Sequence, residues 1–367
     1  MTRFRPTVVE VDLDAVRHNI RLLARPDVAL LAVVKADGYG HGDAEVARAA
    51  LEAGATGLGV ALVEEGIGLR DRGIDAPILV LTELPPGSEK DALAAGLTPS
   101  VYSQAGLAAV AEAASATGRP VGVHLKLDTG MHRVGLWPPE DAPAFARRIV
   151  EHGLLLEGLW THFADSEQDA AGTLEQLQRF LACRDLLAAD GTRPRTSHAA
   201  NSGATIRLRE THLDLVRPGA GVYGLDPGAG IGPAFGLRPA LTLRSAVAMT
   251  KRLPAGERLS YGGRYALERD ATVATIPIGY EDGYPRTTIG AEVLIRGRRY
   301  PVAGTITMDQ MLVDCGGDQI AAGDEAVLIG MQGEERITIE EVAARAGTIG
   351  REIATGIGKR VPREYIG

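Results

Sequence analysis

Lys35 stands at the end of an apolar run, residues 28–34, and the glycine-rich segment 36–42 follows it directly. An apolar run bounded by turn residues predicts a buried strand, and an ammonium group at the end of such a strand is costly to desolvate. Burial lowers the pKa of a lysine, and the neutral amine can form a Schiff base with a carbonyl group. For a lone lysine at a strand end, the alternative is a side chain that reaches solvent.

Further polar side chains follow apolar runs in the same way, and we predict that they surround Lys35. They are Lys126, His162, Asn201, Ser202 and Arg217. A single histidine in such a position is usually structural, but several polar residues at successive strand ends are difficult to attribute to chance. Active sites of (β/α)8 barrels gather at the carboxyl ends of the strands, so this spacing is typical of one catalytic rim.

The elements that would position these residues alternate regularly along the chain. Eight short β-rich runs are separated by helical segments such as 142–152 and 174–189. The predicted strands cover residues 30–34, 57–62, 78–82, 99–102, 121–127, 155–162, 196–200 and 213–216. Eight strand-helix units predict a closed (β/α)8 (TIM) barrel of α/β class, and an open doubly wound sheet is the alternative.

The last predicted strand is followed by Pro218 and the segment 219–224, which matches G-x-G-x-x-G. A dinucleotide-binding loop would open a helix in the first βαβ unit, whereas this segment follows the eighth strand and leads into a turn. Barrels commonly bind phosphate in the loops after strands seven and eight, so the segment is better interpreted as a phosphate cradle. A lysine amine that can react with an aldehyde, together with a loop that can bind a phosphate, predicts pyridoxal phosphate as the cofactor.

From about residue 232 the pattern changes to short strand-like runs separated by glycine and proline. We predict two domains, a barrel over residues 10–232 and a mostly β domain over residues 233–367, the latter joined by an N-terminal strand within residues 1–9. Three tyrosines of this second domain, Tyr261, Tyr280 and Tyr284, lie beside glycines. They indicate a site, although tyrosines on a sheet surface are the alternative.

The composition excludes several classes of protein. The 367 residues are 45% hydrophobic and carry 39 Lys plus Arg against 47 Asp plus Glu, for a net charge of -8. Without a basic block, nucleic acid is not expected as a partner. No apolar run approaches the ~18 residues of a membrane span, so we predict a soluble cytoplasmic protein. Cys183 and Cys315 lack CxxC spacing, which argues against disulfides and metal sites.

Taken together, the motifs resemble those of alanine racemases, fold-type III pyridoxal phosphate enzymes, across essentially the whole chain. The matching segments are residues 32–42, 124–133, 161–163, 200–202, 217–219, 260–262, 278–284 and 308–310. Each segment is weak evidence alone, whereas the set is highly specific. The resemblance implies racemisation of alanine, which would supply D-alanine for peptidoglycan.

The resemblance also implies residue roles. Lys35 would carry the cofactor as a Schiff base, and Arg217 would face its pyridine nitrogen. Arg133 would meet the cofactor phenolate and the substrate carboxylate, and Lys126, which is carbamylated in many family members, would orient Arg133. The remaining cofactor-binding residues would be Tyr39, Ser202, Gly219 and Ala220 at the phosphate, together with His162 and Asn201.

Racemisation removes a proton from one face of the α-carbon and returns one to the other, so two acid/base groups are expected. Lys35 and Tyr261 are the candidates. By resemblance, Tyr261 would come from the partner subunit of a homodimer, with Met308 and Asp309 contacting the substrate from that second chain. The active site would then be composite.

The substrate corridor is where this chain departs from its relatives. By resemblance it would be lined by Glu167, Tyr280, Arg286, Thr305 and Ile357. Thr305 and Thr307 stand where the family often has arginine and cysteine, and Lys359 where it often has tyrosine. Because Thr305 removes a basic partner for Glu167, a broader amino-acid racemase that also accepts serine is an alternative.

Two other functions remain open at this stage. A fold-type III amino-acid decarboxylase shares the barrel, the β domain and the strand-end lysine, but Arg217 does not match the acidic partner of the pyridine nitrogen in those enzymes. A pyridoxal phosphate homeostasis protein shares the barrel but lacks the β domain that carries Tyr261. Release of carbon dioxide or absence of turnover would identify these alternatives.

Overall fold

The computed structural model of the protein describes residues 4–288 and 290–367. Residues 15–38 and 43–238 form one compact unit, the barrel unit. Residues 4–14, 39–42 and 239–367 belong to the other, the C-terminal unit. The first three residues of the predicted segment 1–9 lie outside the described residues.

The predicted (β/α)8 barrel is confirmed. The first strand, β1 (Val8–Asp12), belongs to the C-terminal unit, and the next eight strands run parallel around a closed barrel. They are β2 (Ala29–Val33), β3 (Gly57–Val60), β4 (Ile78–Glu83), β5 (Thr98–Val101), β6 (Gly122–Lys126), β7 (Leu155–Trp160), β8 (Thr196–His198) and β9 (Leu215–Val216). Pairing of Ala29 with Leu215 closes the barrel. All four residues of β3 are buried, as expected for a strand covered on both faces.

Helices separate the barrel strands, as the alternating pattern predicted. The helices between barrel strands are Asp43–Glu52, Val63–Asp71, Glu89–Ala94, Gln104–Ser115, Ala142–Glu151, Ala170–Ala189 and Ser202–Arg207. Leu13–Leu23 precedes β2, and Ile231–Phe235 follows β9. Several begin at side-chain caps; the oxygen of Ser103 accepts from the Gly106 amide, and that of Asp169 from the Gly172 amide. Within the described part of the chain, none of the helices is long and apolar enough to cross a bilayer.

The C-terminal unit is mostly β, as predicted. Its later strands are β10 (Leu241–Ala246), β11 (Met249–Leu253), β12 (Arg258–Leu259), β13 (Tyr265–Ala266), β14 (Ala271–Ile276), β15 (Glu292–Ile295), β16 (Arg298–Pro301), β17 (Met311–Asp314), β18 (Glu325–Gln332), β19 (Glu335–Ile337) and β20 (Arg363–Ile366). The main sheet has the order β16-β15-β18-β10-β1-β20, with β19 on β18, and β11-β14-β17 form a second sheet. Helices Ile339–Ala346 and Gly350–Gly356 were not anticipated.

The compact units differ in three places from the predicted ranges 10–232 and 233–367. β1 extends to Asp12 because it pairs with β10 and with β20. The barrel unit continues to Arg238, and the short segment 39–42 belongs to the C-terminal unit. The predicted domain limits themselves stay predictions.

Candidate active site

Lys35 lies two residues after the end of β2 and directly before a left-handed turn. Ala36 (φ 53°, ψ 53°), Asp37 (φ 53°, ψ 48°) and Gly38 (φ 58°, ψ 46°) all adopt the left-handed helical conformation. Glycine tolerates this conformation, whereas alanine and aspartate pay about 1–2 kcal/mol each. The Gly38 amide donates to the Val34 carbonyl at 3.0 Å. A strained turn that persists next to a lysine is typical of a functional site.

The electrostatic environment favours neutral amines on this rim. Burial lowers the pKa of Lys35, Arg133 lowers it further, and Glu65 acts in the opposite direction. Burial, followed by Arg133 and Arg217, lowers the pKa of Lys126 to about 7. The pKa of His162 lies well below its usual value, because the ring is desolvated and surrounded by cations. Lys35, Lys126, His162 and Arg217 of the predicted cluster therefore influence one another electrostatically within the barrel unit, together with Arg133, and this excess of basic groups suits an anion.

Arg217 is the most firmly held member of this cluster. Its side chain is 3% exposed. Nη1 donates to Nδ1 of His198 at 2.7 Å, and Nη2 donates to the carbonyls of Thr161 at 2.7 Å and Ala199 at 3.1 Å. Its guanidinium carbon also lies 4.6 Å from the ring centroid of Trp160. Burial lowers the pKa of Arg217 to about 9, which leaves the group charged at neutral pH.

The hydrogen bonds of Arg217 continue through two buried histidines. Since an arginine only donates, Nδ1 of His198 is an acceptor and its proton is on Nε2. Nε2 of His198 lies 2.8 Å from Nδ1 of His124, which must accept in turn. Both rings are therefore neutral with assigned tautomers, consistent with a pKa of His124 lowered to about 3 by burial and by Arg217. Gly158 makes room, because a Cβ there would overlap the His124 ring.

The predicted phosphate cradle forms an ordered turn. The Ser202 hydroxyl accepts from the amides of Gly219 at 2.9 Å and Gly221 at 3.1 Å. Ala220 begins a single 3-10 turn directly after Gly219. Asn201 caps the helix that starts at Ser202, with its Oδ1 accepting from the Ala204 amide at 3.1 Å. Glycine backbone amides and a buried hydroxyl thus meet on this loop.

Tyr39 lies in the C-terminal unit rather than in the barrel unit. Burial raises the pKa of its phenol, and Arg351 opposes that shift. The Gly40 carbonyl accepts from Nε of Arg363 at 3.0 Å, and a Cβ at Gly40 would overlap the Ala354 carbonyl. The segment 39–42 is therefore packed directly against the last helix and the last strand of its own unit.

Tyr261 belongs to the C-terminal unit and is 73% exposed. It follows Ser260, a non-glycine residue at φ 58° whose hydroxyl donates to the Thr305 carbonyl at 2.5 Å. Oγ1 of Thr305 donates to the Tyr261 carbonyl at 3.1 Å. The tyrosine backbone is thus fixed while its phenol points to the surface.

Met308 and Asp309 lie on a neighbouring loop of the same unit. Met308 is 49% exposed, and Asp309 pairs with Arg360 at 2.7 Å. The Tyr280 amide donates to the Thr307 carbonyl at 3.1 Å, and a Cβ at Gly279 would overlap that carbonyl. The two loops that carry the predicted gate and substrate residues are therefore in direct backbone contact.

The corridor candidates occupy different environments. Glu167, in the barrel unit, is half-buried, and Arg286 and Tyr280, in the C-terminal unit, are exposed. Ile357 is only 4% exposed, and its carbonyl accepts from Nη2 of Arg363 at 2.6 Å. Its assignment to a corridor stays a prediction.

Several residues around the candidate site were missed from the sequence. They are Glu65, His124, Trp160, His198 and Arg351. His124 and His198 lie inside predicted strands, and a polar residue interrupting a buried strand was the available signal for them. Glu65 and Arg351 lie on helices and look like ordinary surface charges in the sequence.

A closed parallel barrel with lysine, arginine and neutral histidine side chains at the carboxyl ends of its strands, followed by a β-rich domain, defines a barrel enzyme with an amine-bearing site. Two family models match this chain. Residues 11–227 match the alanine racemase N-terminal domain, and residues 240–365 match the alanine racemase C-terminal domain.

Known proteins agree with these matches. The alanine racemase of Symbiobacterium thermophilum is 48% identical over 99% of this chain and 98% of its own length. The alanine racemase structure from Streptomyces lavendulae is 42% identical with a TM-score of 0.94, covering 100% of this chain and 98% of that one. The Bacillus anthracis structure, with bound L-Ala-P, is 37% identical with a TM-score of 0.94, covering 100% and 96%. The chain belongs to the alanine racemase family and is an isomerase.

Proposed function

We propose that this enzyme interconverts L-alanine and D-alanine with pyridoxal phosphate, and that Lys35 and Tyr261 are the two acid/base groups. The observation that carries the proposal is the Lys35 amine, whose pKa is lowered by burial and by Arg133. Relatives named alanine racemase along nearly the whole chain support the substrate. We also infer a cytoplasmic enzyme whose D-alanine product serves peptidoglycan.

The residues fit the cofactor. Lys35, Lys126, Arg133 and Arg217 form a basic cluster that suits a phosphate ester and an amino-acid carboxylate. Pyridoxal phosphate would supply an aldehyde for the amine and an electron sink for the α-carbon. The residues that would hold it are Lys35, Tyr39, Arg133, His162, Asn201, Ser202, Arg217, Gly219 and Ala220.

Arg217 would keep its proton when it faces the pyridine nitrogen. Its pKa of about 9 leaves the guanidinium charged at neutral pH, and three acceptors fix its direction. Pyridoxal phosphate held this way, without a proton on its ring nitrogen, would be a weaker electron sink than the protonated cofactor. We therefore expect Arg217 to limit transamination as a side reaction.

Lys126, converted to a carbamate, would orient Arg133. Because burial lowers the pKa of this amine to about 7, part of it is neutral near pH 7, and only the neutral form adds carbon dioxide. Addition of carbon dioxide to the neutral amine forms an N–C bond and releases one proton, so that a neutral group becomes an anion; starting from the ammonium form, two protons are released in all. The resulting carboxylate could accept hydrogen bonds from Arg133, which would then meet the substrate carboxylate.

The reaction class can be tested with L-alanine in deuterated water. We expect loss of optical rotation, deuterium at the α-carbon and no carbon dioxide. Release of carbon dioxide would identify a decarboxylase, and binding of pyridoxal phosphate without α-exchange would identify a cofactor-binding protein. Parallel reactions with L-serine measure how far the activity extends beyond alanine.

The homodimer is proposed because the second acid/base group is exposed in one chain. Tyr261 is 73% exposed and Met308 is 49% exposed, which is typical of residues covered by a second subunit. We propose that Lys35 works with Tyr261 of the partner subunit, and that Met308 and Asp309 approach the substrate from the same side.

Mixing two inactive variants tests this arrangement. Lys35→Ala and Tyr261→Phe chains should regain activity together, since a heterodimer contains one site with both groups intact. Random pairing makes half of the dimers mixed, so about a quarter of the wild-type sites should be active. Lack of recovery, with subunit exchange demonstrated by tagged chains, would place both groups in one chain.

A further inference from the structure

We propose that Glu65 is a positioning residue that holds the left-handed turn after Lys35 and thereby aims the lysine amine. The inference deepens the proposed function and rests on it. Glu65 lies in the first turn of the helix Val63–Asp71, which follows β3, next to β2 in the barrel.

The Glu65 carboxylate joins three backbone amides. Oε1 accepts from the Ala36 amide at 2.6 Å, directly after Lys35. Oε2 accepts from the amides of Ala61 at 2.8 Å and Leu62 at 3.0 Å, where β3 passes into its helix. Hydrogen bonds to an ionised carboxylate are stronger than neutral ones, so a single side chain ties the lysine turn to the neighbouring strand end.

The turn requires such a restraint. Ala36 and Asp37 are left-handed without being glycine, and residues in this conformation persist only where their surroundings determine it. The Asp43 amide reaches Oδ1 of Asp37 only at 3.3 Å. The hydrogen bond from the Ala36 amide to Glu65, at 2.6 Å, is the shorter of these two, and it holds the residue that directly follows Lys35.

Glu65 also opposes the other charges at the lysine. Arg133 lowers the pKa of Lys35, and Glu65 raises it. Lys126 and His162 also face the amine, and Lys35 in turn lowers the pKa of both. Removing the carboxylate charge should lower the Lys35 pKa further, so the neutral amine should appear at lower pH.

The test measures attachment of pyridoxal phosphate to the full chain after its cofactor has been removed. The neutral amine adds to the aldehyde carbon, an N–C bond forms and the carbonyl oxygen leaves as water. The rate is followed by absorbance from pH 5 to pH 10. Borohydride then delivers hydride to the C=N bond, and mass spectrometry of the peptide verifies attachment at Lys35.

Four variants separate position from charge. Glu65→Gln keeps the shape of the side chain, but its amide nitrogen cannot accept a hydrogen bond, so one of the two connections is lost. Glu65→Asp keeps the charge, but its side chain is too short to reach both the Ala36 amide and the amides that follow β3. Glu64→Gln, at the neighbouring exposed position, is the matched control. Ala36→Gly in the Glu65→Gln background relieves the left-handed strain and should restore the turn.

We expect the attachment rate of Glu65→Gln at high pH, where it no longer changes with pH, to be about 10- to 100-fold lower than that of the wild type, because the reacting amine is misplaced. The pH at which the rate is half-maximal should also be lower. Glu65→Asp should be slow with an unshifted pH midpoint, and Ala36→Gly should recover the rate but not the midpoint. Wild-type rates in both Glu65 variants, or no recovery by Ala36→Gly, would overturn the inference. Absence of a Lys35 adduct in the wild type would instead overturn the proposed function.

Discussion

The candidate residues of the barrel unit and those of the C-terminal unit are held in opposite ways. Arg217 is 3% exposed and donates to three acceptors, one of which, His198, is bonded to His124. Tyr261 is 73% exposed, and its loop is fixed by its backbone. On the barrel rim side chains determine one another's positions, whereas the tyrosine loop presents a side chain to the surface.

This difference predicts different tasks for the two units. Buried polar groups must be hydrogen-bonded, so the orientation of Arg217 is set before any ligand arrives. An exposed phenol has no such restraint and acquires its environment from whatever covers it. Changes at the rim should therefore affect cofactor attachment and stability, whereas changes in the C-terminal loops should affect one direction of the reaction or the choice of substrate.

The largest effect is expected at the rim. Lys35→Ala removes the amine, so the protein should lose both the absorbance of attached pyridoxal phosphate and nearly all racemase activity. Lys251→Ala, an exposed lysine of β11, is the control and should behave as wild type. A borohydride-stable adduct in Lys35→Ala would show that the cofactor is carried by another amine and not by the lysine that follows β2.

The next effect should be confined to one direction. If Tyr261 acts on one face of the α-carbon, Tyr261→Phe should slow α-proton exchange from L-alanine by about 10²–10⁴-fold, the usual contribution of an acid/base group. Exchange from D-alanine should change far less, because in the proposed mechanism Lys35 would act on that face. Single-turnover exchange of both enantiomers in deuterated water measures this, and equal losses would remove the distinction between the units.

The barrel and its polar rim could be predicted because the pattern is local. Each buried parallel strand is a short apolar run, and Lys126 and Arg217 come at or directly after the end of one. Where a strand is short the assignment was less accurate, as for β8, which ends at His198 rather than at Ala200. Asn201 and Ser202 are placed by a helix cap instead of by the strand end.

The remaining features depend on contacts between distant parts of the chain. His198 and His124 are 74 positions apart, and Glu65 is 29 residues from Ala36. The hydrophobic periodicity of the sequence does not indicate which distant residues are in contact. The left-handed turn was also unpredictable, since Ala36 and Asp37 prefer other conformations and adopt this one through the surrounding fold.

The buried histidines predict a weaker fold at acid pH. The pKa of His124 is about 3 in the fold, below the usual 6.5, so the unfolded chain binds its proton first as pH falls. Stability should therefore decline from about pH 6.5 towards pH 3, with a share of about 2 kcal/mol from His124 between pH 7 and pH 5. Urea unfolding followed by tryptophan fluorescence measures this change.

His124→Asn and His124→Leu separate titration from hydrogen bonding. Asparagine keeps an acceptor for His198 without titrating, so its stability should fall less steeply with pH. Leucine leaves a buried N–H without an acceptor and should cost about 1–3 kcal/mol at pH 7. Identical pH slopes in wild type and His124→Asn would mean that this ring does not carry the acid sensitivity of the rim.

The smallest effect is expected at Thr305, a predicted corridor residue of the C-terminal unit. Its hydroxyl donates to the Tyr261 carbonyl at 3.1 Å, so the side chain supports the tyrosine loop as well as standing at a predicted corridor. An apolar site rejects an added hydroxyl by only about 10²-fold, and we expect wild type to turn over serine detectably.

Thr305→Arg should raise the ratio of kcat/KM for alanine over serine by a few-fold, because the larger cation narrows the approach to the site. Thr305→Val is the matched control: it removes the hydroxyl that donates to Tyr261 without adding charge or length. If valine changes the ratio as much as arginine does, the hydrogen bond to the tyrosine loop sets the selectivity. If neither variant changes it, selection occurs at the barrel rim, and the exposed loops contribute the second acid/base group without choosing the substrate.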